Sequence, residues 1–405
     1  MATSSFRALV PAFALVALAA AIGCSGPPIV SPSRELLGRS WLNVSPPTPD
    51  TYPSSDQTVV SGLDAAFGHN PNPTPPPAQT ETKPLNVLVL SGGGKYGAFV
   101  AGFMNGWTAS GCRPQFDVVT GISSGAIAAP YAFLGPHYDE RLARAFLNIR
   151  RQDLFQLRPI RGPHTTGSLA STEPFARQIE KEMDAQMLAE IRQAHCNGRR
   201  LFLATGNRIT FRPAIWDLGA VASCGRPDAD ELVRKVVLAS ASHPGFAPAV
   251  EFDITLNGVH YTELHQDGGN ILQAFVQTGN GLPPGSNVFV VTAGKLYRDA
   301  LANRPKVLGT LTAAGSNTLY SLFRADVMNV YALCAVTRSK FHLIDLPADV
   351  TVKAGSLSFD PEDLKTLYDA GYRSAASGPR WQTTPPASQP GETLVPRAGL
   401  DYVTQ

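Results

Sequence analysis

Residues 85–90 (LNVLVL) form an apolar run, interrupted only by Asn86, that gives way to three glycines, Gly92, Gly93 and Gly94. Beyond them Phe99, Val100, Phe103, Met104 and Trp107 recur at helical spacing. The run suits a parallel strand buried on both faces, so the glycines lie on a strand-to-helix turn. The pattern then repeats, with residues 116–120 predicting a strand, Gly121–Gly125 a turn and residues 126–133 a small-residue helix. Strand, helix and strand make a βαβ unit, whose parallel strands bring both turns to the carboxyl edge of one sheet, the edge where ligands bind. Residues 200–206, 287–294 and 340–347 read as further strands, and a long helix is expected between about Val307 and Ala335. Such alternation predicts an α/β fold.

The two ends carry a different pattern. Residues 8–21 are apolar but too short to span a bilayer as a folded anchor, and with Arg7 ahead of them they read as a signal peptide over 1–23. The stretch closes on Ala-Ile-Gly-Cys, similar to the bacterial lipoprotein cleavage box, which implies lipidation of Cys24 and an exported, membrane-anchored chain of the cell envelope; without the lipid it would be secreted. Residues 24–83 form a linker with 12 prolines among positions 25–83, a span of about 40 Å if flexible. A globular domain over 84–378 and a Pro-rich tail over 379–405 complete the expected organisation.

Charged residues are 16% of the 405, below the roughly 25% usual in globular chains, and net charge is +2. With no long cluster of Lys and Arg, nucleic acid is not an expected partner. After Cys24 come Cys112, Cys196, Cys224 and Cys334, which allow three full pairings in an oxidising compartment. Cys196 and Cys224, both in Gly-containing polar stretches, are the pair expected to bridge, with buried free thiols the competing reading for Cys112 and Cys334.

The glycine turn admits three chemistries. A phosphate-binding P-loop fails, because Tyr96 follows Lys95 where Ser or Thr should meet magnesium and Val89 stands at the first Gly. A dinucleotide loop formally fits Gly92, Gly94 and Gly97, but Asp117 opens the second strand instead of closing it. The third reading is an oxyanion hole, in which backbone N–H groups freed of Cβ atoms and a helix N-terminus face developing negative charge. Gly121-Ile122-Ser123-Ser124-Gly125 supplies the matching nucleophile, since a GxSxG turn holds its central Ser in an exposed, strained pose.

Together with Ala239-Ser240 through Pro244 and Phe246, and with Asp267-Gly268-Gly269, these motifs run in the order of the patatin-like phospholipases, which the sequence resembles over about residues 84–376. The resemblance implies a three-layer patatin-like fold with a mostly parallel central sheet and helices on both faces. It also implies a lipid ester as substrate, a Ser123–Asp267 catalytic dyad, an oxyanion hole at Gly92, Gly93 and Gly94, elbow glycines Gly121 and Gly125, and a DGG motif with Gly268 and Gly269. No cofactor or metal is implied. Two departures stand out: Lys95 lies one place before the family's basic position, occupied here by Tyr96, and Asn-Ile-Leu-Gln follows DGG in place of Asn-x-Pro.

Two other readings compete. An α/β-hydrolase triad would need a His after the acid, and His342 is the candidate, although a structural histidine in an alternating strand is the plainer account. A non-catalytic lipid-binding or interaction lipoprotein on the same fold is the second. His260 and His265 flank Glu263 at spacings unlike a zinc site.

Overall fold

The computed structural model describes residues 83–158, 168–256, 259–278, 281–297, 307–353, 355 and 357–386. Cys24, the signal stretch and nearly all of the linker lie outside the described residues. In chain order the elements are β1 Asn86–Leu90, α1 Gly97–Ala109, β2 Val118–Ile122, α2 Ser124–Leu134, α3 Asp139–Leu147, α4 Arg151–Leu154, β3 Gln156–Leu157, β4 Ala170–Ser171, α5 Glu173–Glu182 and α6 Ala185–Cys196. They continue with β5 Arg200–Asn207, β6 Arg212–Asp217, α7 Leu218–Ala222, α8 Ala229–Ser240, β7 Val250–Leu256, β8 Val259–Asp267, β9 Asn287–Val291, α9 Val307–Thr337, β10 Lys340–Ile344 and α10 Pro361–Ala375.

The main sheet runs β10-β9-β1-β2-β5-β8-β7, with β6 beside β5. Its β10-to-β5 portion is parallel throughout. β6 and β8 run antiparallel to β5, and β7 antiparallel to β8. Alternate residues of β1 enter two separate cores. Leu88 and Leu90 pack with α1, α2 and α10, whereas Val87 and Val89 pack with Phe323, Val327 and Val330 of α9. Helices on both faces of a mostly parallel sheet make this a three-layer α/β fold.

Register explains how distant motifs meet. β1 and β2 are neighbours, Leu90 opposite Gly121, so the two glycine-bearing turns emerge side by side. Ile122 pairs with Ala204, and the next β5 residue, Thr205, pairs with Asp267. Asp267 closes an antiparallel strand, yet arrives at the same edge one strand from Ser123.

Two expectations need correction. The four described cysteines are free thiols, Cys196 and Cys224 among them. Polar, Gly-containing surroundings report exposure and not a bond: Cys196 is exposed and Cys224 half-buried. The first residues of the expected tail also belong to the domain: Trp381 packs edge-on against Phe103 and Trp107, and Gln382 pairs through its backbone with Leu343.

Candidate active site

The elbow is built by close approach. Ser123 sits between β2 and α2 with φ 55° and ψ −122°, a left-handed conformation costing a non-glycine residue about 1–3 kcal/mol. The neighbouring glycines make room for it: a Cβ on Gly125 would lie 2.4 Å from the Leu90 carbonyl oxygen, and one on Gly121 2.6 Å from the Gly125 oxygen. Ser240, fully buried at the end of α8, locks the turn. Its Oγ accepts from the Ser123 amide at 3.1 Å and donates to the Ala204 carbonyl at 2.7 Å.

Ser123 Oγ donates to Asp267 Oδ2 at 2.6 Å. The other carboxylate oxygen, Oδ1, accepts from the Gly269 amide at 2.8 Å, and the Asp267 amide donates to the Ser242 carbonyl at 2.9 Å. Burial pushes the Asp267 carboxyl above the usual carboxylate range, while the Ser123 and Gly269 hydrogen bonds and His243 pull the other way.

The first glycine turn abuts this pair, since a Cβ on Gly92 would lie 3.1 Å from Ser123 Cβ. Gly93 rests on Ala293, whose carbonyl oxygen would be 1.9 Å from an added Cβ. Ser91 Oγ donates to the Gly92 carbonyl at 3.1 Å, and the Gly93 carbonyl accepts from the Tyr96 amide at 3.3 Å. The C=O and N–H of a trans peptide point opposite ways. The Gly93 and Gly94 amides therefore point away from those bonds.

Gly92, Gly93, Gly94, Ser123, Asp267 and Gly269 line one cavity of about 640 Å³, whose remaining wall is largely apolar and includes Phe146, Ile149, Phe155, Phe175, Phe323 and Phe359. Gly121, Gly125 and Gly268 stand behind it as packing positions. The sequence DGGNILQ, which departs from the family pattern, resolves into a local brace: the Gln273 side-chain amide donates to the Gly269 carbonyl, and its backbone amide to Asp326 of α9 at 2.6 Å.

His342 does not join this group. Its ring stacks on Phe289 at 4.7 Å, and its Nε2 lies 3.4 Å from Oδ1 of Asn287, the residue that opens β9 at the opposite edge of the sheet. Burial and Lys340 push its pKa down. The triad through His342 is thereby overturned: His342 lies in the middle of β10, three places from β2 in the sheet, between Phe289 and Trp381. His265 is occupied elsewhere, with Nε2 on Glu263 at 2.9 Å and Nδ1 on Thr205 at 2.8 Å.

Sequence reasoning gave no role at the site to Ser91, Ser240, Ser242, Gln273 or His243. The cavity-lining His243 donates from Nδ1 to the Pro244 carbonyl at 3.1 Å. The Ala-Ser-Ala-Ser stretch was visible, but its use as a hydrogen-bond latch depends on α8 ending over β5.

A mostly parallel α/β sheet brings a GxSxG elbow, a glycine turn and a carboxylate to one edge. The family model of the patatin-like phospholipases matches residues 88–277, which take in the glycine turn, the elbow and the DGG motif. Among solved structures the chain is similar to VipD from Legionella pneumophila, with 13% identity, a TM-score of 0.36, and coverage of 73% of this chain and 66% of that one. No curated protein matches.

Proposed function

We propose that this domain is a serine hydrolase cleaving carboxylic esters of lipids through an acyl-enzyme. The observation that carries the reading is the 2.6 Å hydrogen bond from Ser123 to Asp267 at the wall of a largely apolar cavity. Ser123 Oγ attacks the ester carbonyl carbon and passes its proton to Asp267. The resulting tetrahedral oxyanion accepts hydrogen bonds from amides of the Gly92–Gly94 turn, reinforced by the N-terminal end of α1. Collapse breaks the carbonyl carbon–oxygen ester bond, and the departing alcohol takes the proton back. Water then attacks the acyl-enzyme with Asp267 again accepting a proton, which returns to Ser123 as the fatty acid leaves. The acyl chain occupies the apolar part of the cavity.

A carboxylate serves as base because it is held in hydrogen-bond reach of the hydroxyl and desolvated, which raises its basicity. The test is hydrolysis of a short-chain chromogenic ester by wild type and Ser123→Ala, with labelling by an alkyl fluorophosphonate. Ser123→Ala is expected to lose about 10³-fold or more in kcat and to resist labelling. Equal rates would leave a lipid-binding module with no esterase function.

A further inference from the structure

Gly92, Gly93 and Gly94 have no side chains with which to hold their own peptide planes, and Gly94 adopts φ +59°. The orientation of the turn is therefore set by its two flanking residues. On one side Ser91, fully buried, accepts from the Ala293 amide at 2.8 Å and so ties the turn to the end of β9. On the other side Lys95 runs into the protein, its side chain 0% exposed. Its ammonium donates to Asp363 Oδ2 at 2.8 Å and to the Lys353 carbonyl.

A fully buried ammonium is costly unless paired, and an apolar residue of the same length would pack there at lower cost. What the pair joins gives it a purpose. Asp363 lies in the first turn of α10, and its second oxygen accepts from the Lys353 amide at 3.3 Å. Val352, Gly355, Leu357 and Phe359, around and after Lys353, line the cavity. α10 in turn is seated on α1 at backbone contact: a Cβ on Gly102 would lie 2.0 Å from the Tyr368 carbonyl oxygen, and one on Gly371 2.1 Å from that of Phe99. One ion pair thus fastens the glycine turn, the cavity wall and the final helix to a stiff base.

We propose that Lys95 is a positioning residue: through Asp363 and the Lys353 carbonyl it holds the glycine-turn amides in register with Ser123. Lys95, one place before the family's basic position, acts as a strut behind the turn. The kinetic consequence rests on the acyl hydrolase reading, whereas the consequence for backbone order does not.

The test uses the full chain and the double variant Lys95→Met/Asp363→Leu, which removes both charges together and leaves neither one buried alone. Deuterium exchange of a peptide covering residues 88–99 is expected to quicken by about tenfold at the glycine turn, with the β1 amides unchanged. On a soluble ester, kcat is expected to fall by about 10- to 100-fold with KM held, as displacement of an oriented group by an ångström does. A folded double variant with wild-type exchange and wild-type kcat would overturn the proposal. If the double variant does not fold, Lys95→Arg and Asp363→Glu keep the pair and change its length. Lowered kcat at constant KM in either supports the strut, and wild-type kcat in both refutes it. An inert wild type would remove the hydrolase reading alone, and exchange would then decide.

Discussion

Burial pushes the Asp267 carboxyl upward, and the sign of that shift ties catalysis to stability. A carboxyl whose folded pKa exceeds its unfolded value of about 3.9 contributes stability below that value, and the contribution is lost as pH rises through the folded pKa. At neutral pH the wild type therefore carries an unfavourable buried charge that Asp267→Asn would not. An amide can still accept from Gly269 through Oδ1 and can donate to Ser123 Oγ, so the contacts survive the change. We expect Asp267→Asn to melt above wild type at pH 7, by about 2–4 °C for each kcal/mol relieved. Calorimetry should show the gap closing as pH falls toward 4, and a variant less stable than wild type at pH 7 would contradict the argument. Its ester hydrolysis should drop by about 10²–10⁴-fold. In the wild type, kcat should decline as acid protonates Asp267.

At the scale of elements, the elbow stores strain that its neighbours must resist. Ser240 is bonded through its side chain to both the Ser123 amide and the Ala204 carbonyl, so it joins α8, β5 and the strained turn. Ser240→Ala removes both bonds, at a cost of about 1–3 kcal/mol. Chemical denaturation should register the loss as a lower midpoint, and fluorophosphonate labelling of Ser123 should slow. Unchanged midpoint and labelling would show the latch to be idle. The glycine turns were legible in sequence because close approach leaves residue types few choices, β1, β2, β5 and β9 because strands buried on both faces are nearly continuous apolar runs, and β10 by its alternation. β2 nevertheless begins two residues later than its apolar pattern suggests, with Asp117 given over to accepting the Asn86 amide at 2.8 Å. The β7–β8 hairpin was overlooked, although Val250, Phe252, Ile254 and Leu256 alternate with polar residues ahead of Asn257-Gly258; only its second strand hides the signal. Glu263, His265 and Asp267 follow one another on one buried face of β8, satisfied by hydrogen bonds instead of apolar contact, so the period-two hydrophobic signal is absent from that part of β8.

Across the whole molecule, the cavity is a property of assembly. Its apolar wall draws Phe146 and Ile149 from around the end of α3, Phe175 from α5, Phe323 from α9 and Phe359 from just before α10. Each reads locally as an ordinary core residue, and only the three-layer arrangement turns them toward Ser123. Chain-length preference should therefore follow from volume and be adjustable away from the chemistry. Ile149 is partly buried and lines the cavity, so a larger side chain can be accommodated there without breaking the main core. Ile149→Trp is expected to displace on the order of two methylenes of a long acyl chain, each contributing about 0.8 kcal/mol when buried. The ratio of kcat/KM for a long-chain ester to that for a short-chain ester should then fall roughly 15-fold, while the short ester alone is turned over at nearly the wild-type rate. A ratio that stays constant, with both esters slowed equally, would place the acyl chain outside this cavity and would separate the dyad from the pocket it lines.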